Sequence, residues 1–236
     1  MSTKQQVVLT NQLLDGLPTR ERDRFLADCT LVDLVLGSVL QEQGDRIRHV
    51  YFPIDSFISI LARVDGHSTL EVSMVGSEGM YGHSLILGST VAPLRALTQG
   101  AGATWRMKAT TFRDRLDDMP ALRPLLHRYL IVLLGQMAQT SACTRFHVVE
   151  KRLARWLLMS QDRAHADSFD VTQEFLAFML GVRRVGVTKA AGFLQLRKLI
   201  RYKRGKVTIL NRQRLEAAAC SCYQSDLETY QHEMRC

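Results

Sequence analysis

The hydrophobic and polar positions change their spacing twice along the chain. Apolar residues at helical spacing predict a short helical lead-in over 11–27, with Pro18 opening its second part. From residue 31 to about 108 the period becomes two, and glycines are frequent. Many short strands with frequent turns predict a β-sandwich or β-barrel. The predicted strands are 35–40, 50–53, 57–64, 69–75 and 104–108, with a tight turn at Asp65-Gly66.

The pattern becomes helical again after residue 120. A long helix over 120–140 is apolar on more than one side, so it must bury two faces. Five of its residues give a rough heptad seam, which predicts a pairing of two copies of the chain. An ordinary core helix is the alternative, and periodicity alone does not separate the two. The seam residues are Leu122, Leu126, Tyr129, Leu133 and Gln136.

The last third carries a helix-turn-helix pattern. A second helix over 148–159 and a polar connector over 162–170 precede it. Thr172 is predicted to cap a helix over 173–180, and Gly181 to end it in the left-handed conformation. A second helix over about 183–197 follows, and the two make a helix-turn-helix. Two short strands over 200–210 around an Arg204-Gly205 turn predict a β-hairpin wing.

The positive charge is concentrated in this last part. The formal charge is +8, and residues 147–236 carry +7 of it. The segment 183–214 holds eleven basic residues and no acidic one. Such a segment attracts a polyanion, although a solvated basic face without a partner is the alternative. Because the cations fall on the second helix and the wing, duplex DNA is the expected partner.

The cysteines and the motifs that the sequence lacks exclude several further classes of protein. Five scattered cysteines make no disulfide framework and fit a reducing compartment. No run of about 18 apolar residues and no export signal is present, so a cytoplasmic protein is expected. Cys220-x-Cys222 with Cys236 and His232 is too loose for a zinc site, and no metal is predicted. No hydrolase, nucleotide-binding or metalloprotease motif occurs, which predicts no catalytic residues and no enzyme.

Four stretches together resemble the Crp/Fnr family of bacterial transcription regulators. They are 172–184 (TQEFLAFMLGVRR), 199–210 (LIRYKRGKVTIL), 49–53 (HVYFP) and 75–82 (VGSEGMYG). The resemblance covers roughly residues 10–223 and is more specific in the second half. It implies an α+β fold with a cyclic-nucleotide-binding-like β-roll or jelly-roll sensor domain over 1–118. A long dimerisation helix over 119–146 and a winged helix-turn-helix domain over 147–236 would follow.

The resemblance also implies which residues contact DNA. The recognition helix would lie in the major groove and the wing on the backbone. The best base reader is Arg184, because arginine can bind guanine O6 and N7 together. A glutamate that often follows it in the family is Val185 here, so the DNA site should differ. The base-reading set is Arg184, Val185, Gly186, Thr188 and Lys189. The backbone set is Thr172, Gln173, Arg183, Lys203, Arg204 and Lys206.

For the sensor half, the resemblance implies an effector pocket at Gly82, His83 and Arg95. Family members that bind cyclic AMP carry Phe-Gly-Glu where this chain has Tyr81-Gly82-His83. The missing carboxylate argues against ordinary cyclic AMP binding and leaves another cyclic nucleotide, a cyclic dinucleotide or no effector. Gly82 could equally be a turn residue. The implied protein is a homodimeric regulator that also works with RNA polymerase. A cyclic-(di)nucleotide-responsive binding module without direct DNA regulation is the alternative.

Overall fold

The computed structural model describes residues 10–63 and 69–235. The predicted Asp65-Gly66 turn and Cys236 lie outside the described residues. Within them the chain is a mixed α and β protein, with a β-sheet region followed by a helical region that carries the helix-turn-helix. We call residues 10–118 the sensor region, after the role that the sequence predicts for them. The predicted fold class is therefore confirmed.

The sensor region consists of two antiparallel sheets behind two short helices. The first sheet has the order β1-β7-β3 and the second the order β2-β6-β4-β5. The predicted strand over 35–40 is wrong in its first part, because Gly37 has a φ of +80° and turns the chain between β1 and β2. The elements are α1 (Gln12–Asp15), α2 (Thr19–Ala27), β1 (Thr30–Leu34), β2 (Val39–Gln41), β3 (His49–Pro53), β4 (Phe57–Ala62), β5 (Leu70–Val75), a 3₁₀ turn (His83–Leu87), β6 (Arg95–Gly100) and β7 (Gly102–Lys108).

A buried aromatic cluster joins these sheets to the helices around them. Phe25 of α2 packs edge-on against Phe52 of β3, with ring centroids 5.2 Å apart. Phe112 of α3 (Ala109–Asp118), a helix that the sequence patterns did not predict, completes the cluster. All three rings are fully buried, and each burial is worth roughly 1.5–3 kcal/mol.

The long helix α4 (Leu122–Phe146) has 25 residues and packs its predicted seam inside its own chain. All five seam residues are buried, the first three against the sensor core. The interpretation of Leu122, Leu126, Tyr129, Leu133 and Gln136 as a dimer seam is therefore wrong, and the core alternative holds for them. The reason is that the apolar pattern covers two faces of the helix, and the sensor core takes this one.

The opposite face of α4 is exposed and follows a regular spacing of three and four residues. Its central members are apolar, with Ile131 51% and Leu134 66% exposed. We call this face the outer stripe. Its residues are Pro124, His127, Ile131, Leu134, Ala138, Ser141 and Arg145.

The C-terminal region packs directly on the sensor region. Leu61 and Met74 of the second sheet share one hydrophobic cluster with Trp156 and Leu180. The predicted connector over 162–170 is partly wrong, because β8 within it joins the sheet order β8-β10-β9. The elements are α5 (Val149–Ala164), β8 (Ser168–Asp170), α6 (Gln173–Leu180), α7 (Arg184–Leu196), β9 (Ile200–Lys203), β10 (Lys206–Ile209), α8 (Arg212–Ala218) and α9 (Cys222–Met234). Among the described residues, no helix combines the length and apolar character needed to cross a membrane.

Candidate nucleic-acid interface

The first helix of the helix-turn-helix begins and ends as its sequence predicts. The Thr172 hydroxyl accepts a hydrogen bond of 3.1 Å from the Phe175 amide at the start of α6. Gly181 has a φ of +60° at the end. This left-handed conformation favours glycine, and a Cβ at Gly181 would lie 2.8 Å from the end of the Leu70 side chain in β5. The turn therefore sits directly against the sensor sheet.

The second helix, α7, buries one narrow face and exposes the other. Its buried residues are Val187, Ala190, Ala191 and Leu194. The two alanines at the centre allow close packing on α5 and α6. The exposed face presents four of the five predicted base-reading residues to solvent: Arg184, Val185, Thr188 and Lys189. The fifth, Gly186, is half-buried, and a Cβ there would meet nothing within 4 Å.

A hydrogen bond joins the starts of the two helices. The Thr188 hydroxyl donates to Gln173 Oε1 at 2.7 Å and also lies 3.1 Å from the Arg184 carbonyl. The structure thus brings Gln173 and Thr188 together. The Thr188 proton is engaged inside the protein, which leaves its oxygen lone pairs and the Gln173 amide nitrogen for an external partner.

The wing is a tight hairpin held against the first helix. Lys203 and Lys206 pair across the turn between β9 and β10. Arg204 and Gly205 both have positive φ, at +51° and +78°, which is the requirement of a type I′ turn. The Val171 amide donates to the Gly205 carbonyl at 2.7 Å. This bond places the wing tip beside Thr172, the cap of α6.

Ten of the eleven basic residues predicted to face DNA are exposed and have no carboxylate partner within the described residues. They are Arg183, Arg184, Lys189, Arg197, Lys198, Arg201, Lys203, Arg204, Lys206 and Arg214. The exception is Arg212, which lies 2.7 Å from Asp162 and 2.9 Å from Glu216. Arg212 therefore belongs to the packing of α8 rather than to the basic surface.

The three predicted effector residues have separate partners. Burial lowers the pKa of His83 to about 4, so its ring is neutral near neutral pH, and it packs edge-on against Tyr81. Arg95 lies 3.2 Å from Glu42. Gly82 has a φ of +96°, and a Cβ there would lie 2.8 Å from Val50, which suits the turn alternative. Within the described residues no hydrogen bond or ion pair joins any two of the three.

A different part of the sensor surface is strongly basic. A cavity of about 390 Å³ there is bordered by the 3₁₀ turn, β3 and α3. Its charged and titratable lining residues are Arg46, Arg48, His49, Lys108 and Arg113. The pKa of His49 is lowered by partial burial and then by the nearby cations Arg106, Lys108 and Arg48. Among the residues that the structure describes, these cations have no carboxylate partner, so the cavity presents positive charge.

Of the residues weighed for a metal site in the sequence, Cys220 and Cys222 lie together, and His232 lies apart from them. His232 is exposed beside Glu233, and Cys236 lies outside the described residues. Cys220 and Cys222 instead meet Cys143 and His147 from the end of α4. The sequence signal that could have found them is Cys143-x-x-x-His147, a spacing that puts both side chains on one face of a helix.

The comparisons with known proteins bear on both halves of the chain. Residues 151–218 match the Crp-like helix-turn-helix domain family. The chain carries a Crp-like helix-turn-helix domain on the fold of the Crp/Fnr regulators. A search of curated protein sequences found no match.

Solved structures support the Crp/Fnr fold over most of the chain. A protein assigned to the Crp/Fnr family from Eubacterium rectale has 17% identity and a TM-score of 0.67, covering 87% of this chain and 96% of its own. The c-di-GMP responsive regulator CLP of Xanthomonas campestris has 18% identity and a TM-score of 0.67, with coverages of 82% and 100%. FixK2 of Bradyrhizobium japonicum has 13% identity and a TM-score of 0.68, with coverages of 81% and 98%.

Proposed function

We propose that the chain is a homodimeric, sequence-specific DNA-binding transcription regulator. The observation that carries this proposal is the set of ten exposed cations without carboxylate partners on α7, the wing and their flanks. Unpaired cations on one surface release counterions from DNA when they neutralise phosphates. A protein that used these residues only for solubility would intersperse them with acids, and the segment has none between residues 183 and 214.

In this proposal α7 enters the major groove with its N-terminal end. Arg184 makes two parallel hydrogen bonds to a guanine. Val185, which is 58% exposed, packs on a thymine methyl group, which explains an apolar side chain at the surface. Lys189 contacts a base or a phosphate one turn further along. Gly186 and Thr188 offer close backbone approach and an acceptor oxygen.

The phosphate contacts come from both ends of the motif. The backbone set of Thr172, Gln173, Arg183, Lys203, Arg204 and Lys206 lies at the start of α6, the start of α7 and the wing tip. The hydrogen bond between Val171 and Gly205 fixes the wing tip beside the start of α6. These contacts set the register of the protein on the duplex and do not read sequence.

We propose that two chains pair through the outer stripe of α4. The stripe repeats at three and four residues, which is the spacing of a coiled-coil seam. Ala138 and Ser141 are small, so they allow close approach of two helices in its second half. A two-fold dimer would present two copies of α7 to half-sites about 34 Å apart, one turn of DNA.

We propose that an anionic effector binds the sensor region, with a cyclic nucleotide or cyclic dinucleotide as the expected class. The similar regulator CLP is c-di-GMP responsive, which supports this class. The basic cavity beside Arg48 and Arg113 offers cations without a carboxylate partner in the described part of the chain, whereas Arg95 is already paired with Glu42. In calorimetry with a panel of cyclic mono- and dinucleotides, Arg113→Ala should weaken binding and Arg95→Ala should leave it unchanged.

Selection from a random duplex library tests DNA recognition directly. The purified chain should enrich a two-fold symmetric site and bind it by fluorescence anisotropy in the presence of competitor DNA. Failure to enrich any sequence at moderate salt would overturn DNA recognition. Nucleotide binding with no enriched sequence would favour the module without direct DNA regulation.

A further inference from the structure

Three cysteines and a histidine converge where the end of α4 meets the start of α9. The ligand atoms of Cys143, His147, Cys220 and Cys222 all lie within 4.8 Å of one another. The Sγ atoms of Cys143 and Cys220 are 3.5 Å apart. The Sγ atom of Cys222 is 3.4 Å from Nδ1 of His147. The three cysteines are buried together and the histidine is half-buried.

Local structure explains how each pair is presented. Cys143 and His147 are one helical turn apart at the end of α4, where the His147 amide donates to the Cys143 carbonyl at 3.0 Å. Cys220 and Cys222 flank the residue before α9, so their side chains come from a turn and a helix start. The two pairs are brought together because α9 packs along α4, with Thr229 3.5 Å from a Cβ placed on Gly135.

We propose that these four residues bind a zinc ion. Zinc lies about 2.3 Å from a thiolate and about 2.0 Å from an imidazole nitrogen, so tetrahedral ligands stand about 3.5–3.8 Å apart. The two separations of 3.5 Å and 3.4 Å between ligand atoms agree with that spacing. Four protein ligands close the coordination sphere, which is typical of structural rather than catalytic zinc.

The charge of the surroundings supports an anionic centre. Zinc with three thiolates and a neutral imidazole carries one net negative charge. Arg152 is buried and, within the described residues, has no carboxylate partner. Its guanidinium donates to the Leu180 carbonyl and the Thr144 hydroxyl and lies near Cys143 and Cys220. A buried cation without a carboxylate is costly unless another anion balances it, and the proposed centre supplies that anion.

A hydrogen bond from a residue outside the four proposed ligands also supports the site. The side-chain amide of Gln139 donates to the Cys222 sulfur at 2.9 Å. Donors to coordinating sulfurs orient the ligand and stabilise its charge. Gln139 lies on α4, four residues before Cys143, so α4 and the residue that follows it supply two ligands and the outer donor.

A disulfide between Cys143 and Cys220 is the competing chemistry. It would require the two sulfurs to move from 3.5 Å to about 2.05 Å. It would leave Cys222 and His147 without a role and would place no negative charge beside Arg152. The zinc proposal accounts for all four residues.

The proposed zinc ties the C-terminal helix to the long helix. Because α9 belongs to the DNA-binding half and α4 carries the outer stripe, the metal would fix one half relative to the other. An effect of zinc on DNA affinity rests on the proposed function, whereas zinc binding itself does not.

Metal analysis of the full-length protein, purified with a reductant and without chelator, tests the site. One zinc per chain is expected. Replacing zinc with cobalt(II) should give the visible absorption of a tetrahedral site and a sulfur-to-cobalt charge-transfer band whose intensity corresponds to three thiolates. Purified protein without zinc, and with no such spectrum after cobalt is added to the reduced chain, would overturn the proposal. So would a Cys143–Cys220 disulfide in the reduced preparation, detected by mass spectrometry.

Matched variants locate the metal. Cys222→Ser should lower zinc content at least tenfold and reduce the charge-transfer band. Cys29→Ser is the control, because Cys29 is half-buried in the sensor region and outside the cluster. Equal zinc in the Cys222 variant and wild type would overturn the assignment. If Cys222→Ser does not fold, the cobalt spectrum of the wild type still decides, because it counts thiolates without a variant. Zinc binding with no DNA selection would leave this proposal standing and refute only the proposed function.

Discussion

The carboxylate of Glu78 lies 2.6 Å from the guanidinium of Arg163. Glu78 belongs to the turn after β5 in the sensor region, and Arg163 lies near the end of α5 in the helix-turn-helix half. The Tyr230 hydroxyl of α9 donates to the Glu78 carbonyl at 3.2 Å. A Cβ on Gly76 would lie 2.6 Å from the Arg163 side chain, so the turn closes tightly around it. This turn therefore connects the sensor sheets to α5 and α9, the two helices that contact it.

Removing the charge of Glu78 should strongly destabilise the protein. In Glu78→Gln, the buried Arg163 guanidinium loses its ion-pair partner, and breaking a buried pair typically costs about 3–5 kcal/mol. Urea unfolding measures the loss. The control is Asp117→Asn, which breaks the pair between Asp117 and Arg123 at the surface and should cost less than about 1 kcal/mol. An equal loss of unfolding free energy in the two variants would contradict a buried ion pair between Glu78 and Arg163.

Stability should fall as the pH rises from about 4.5 to about 7, because of Glu71. Burial raises the pKa of Glu71 from 4.5 to about 7 in the folded protein. Between these values the folded state holds a proton that the unfolded state has lost, so unfolding becomes easier as pH rises, by up to about 3 kcal/mol. Glu71→Gln should remove this slope, since an amide can still accept from Trp156 Nε1, now 2.9 Å from Glu71. Urea titrations at pH 5 and pH 8 compare the two proteins, and parallel pH curves would refute the assignment.

Substitutions of Arg184 and Lys203 should affect DNA binding differently, because Arg184 is proposed to read a base and Lys203 to contact the backbone. Arg184→Ala should cost about 1–3 kcal/mol on the selected site and relax preference at one base position. Lys203→Ala should weaken all sequences alike. Arg20→Ala removes an exposed charge from α2, far along the chain from the motif, and serves as the control for net charge. Anisotropy titrations on matched and single-mismatch duplexes give both quantities; an Arg184 variant with unchanged specificity would reject its role.

The salt dependence of DNA binding should distinguish Lys206 from Arg212. Lys206→Ala should lower the slope of log affinity against log salt by about one, because one phosphate contact is lost. Arg212→Ala should leave the slope unchanged, because Arg212 pairs with Asp162 and Glu216. Its cost should appear instead as a small loss of stability, about 1 kcal/mol or less per pair. A reduced slope in the Arg212 variant would place that residue at the interface after all.

Association of two chains should depend on the outer stripe and not on the buried face. Leu134→Glu should convert dimers to monomers in sedimentation velocity without unfolding, because Leu134 is 66% exposed in the single chain. Leu87→Glu is the control, since Leu87 is equally apolar and 73% exposed on the 3₁₀ turn. A dimer that survives Leu134→Glu would reject the stripe as the interface.

Local sequence signals were sufficient for the helix-turn-helix. Each signal determines the conformation of only the few residues around it. The signals are the Thr172 hydroxyl, the left-handed glycine at Gly181 and the Arg204-Gly205 turn. Their structural consequences can therefore be predicted without knowledge of the rest of the fold. The exposure of the basic residues in 183–214 could be predicted in the same way. The spacing of apolar residues in each helix or strand indicates which of its faces is exposed.

The sequence by itself determined the order of the elements, the helix-turn-helix with its wing, and the positive charge of that segment. Only the tertiary structure decided which face of α4 is buried, since an apolar pattern on two faces does not name its neighbours. It also separated Arg212 from the other cations by placing Asp162 beside it. It gathered Cys143 and His147 with Cys220 and Cys222, which are more than seventy residues away along the chain. Contacts over such separations depend on how α9 packs along α4, and no local spacing encodes that packing.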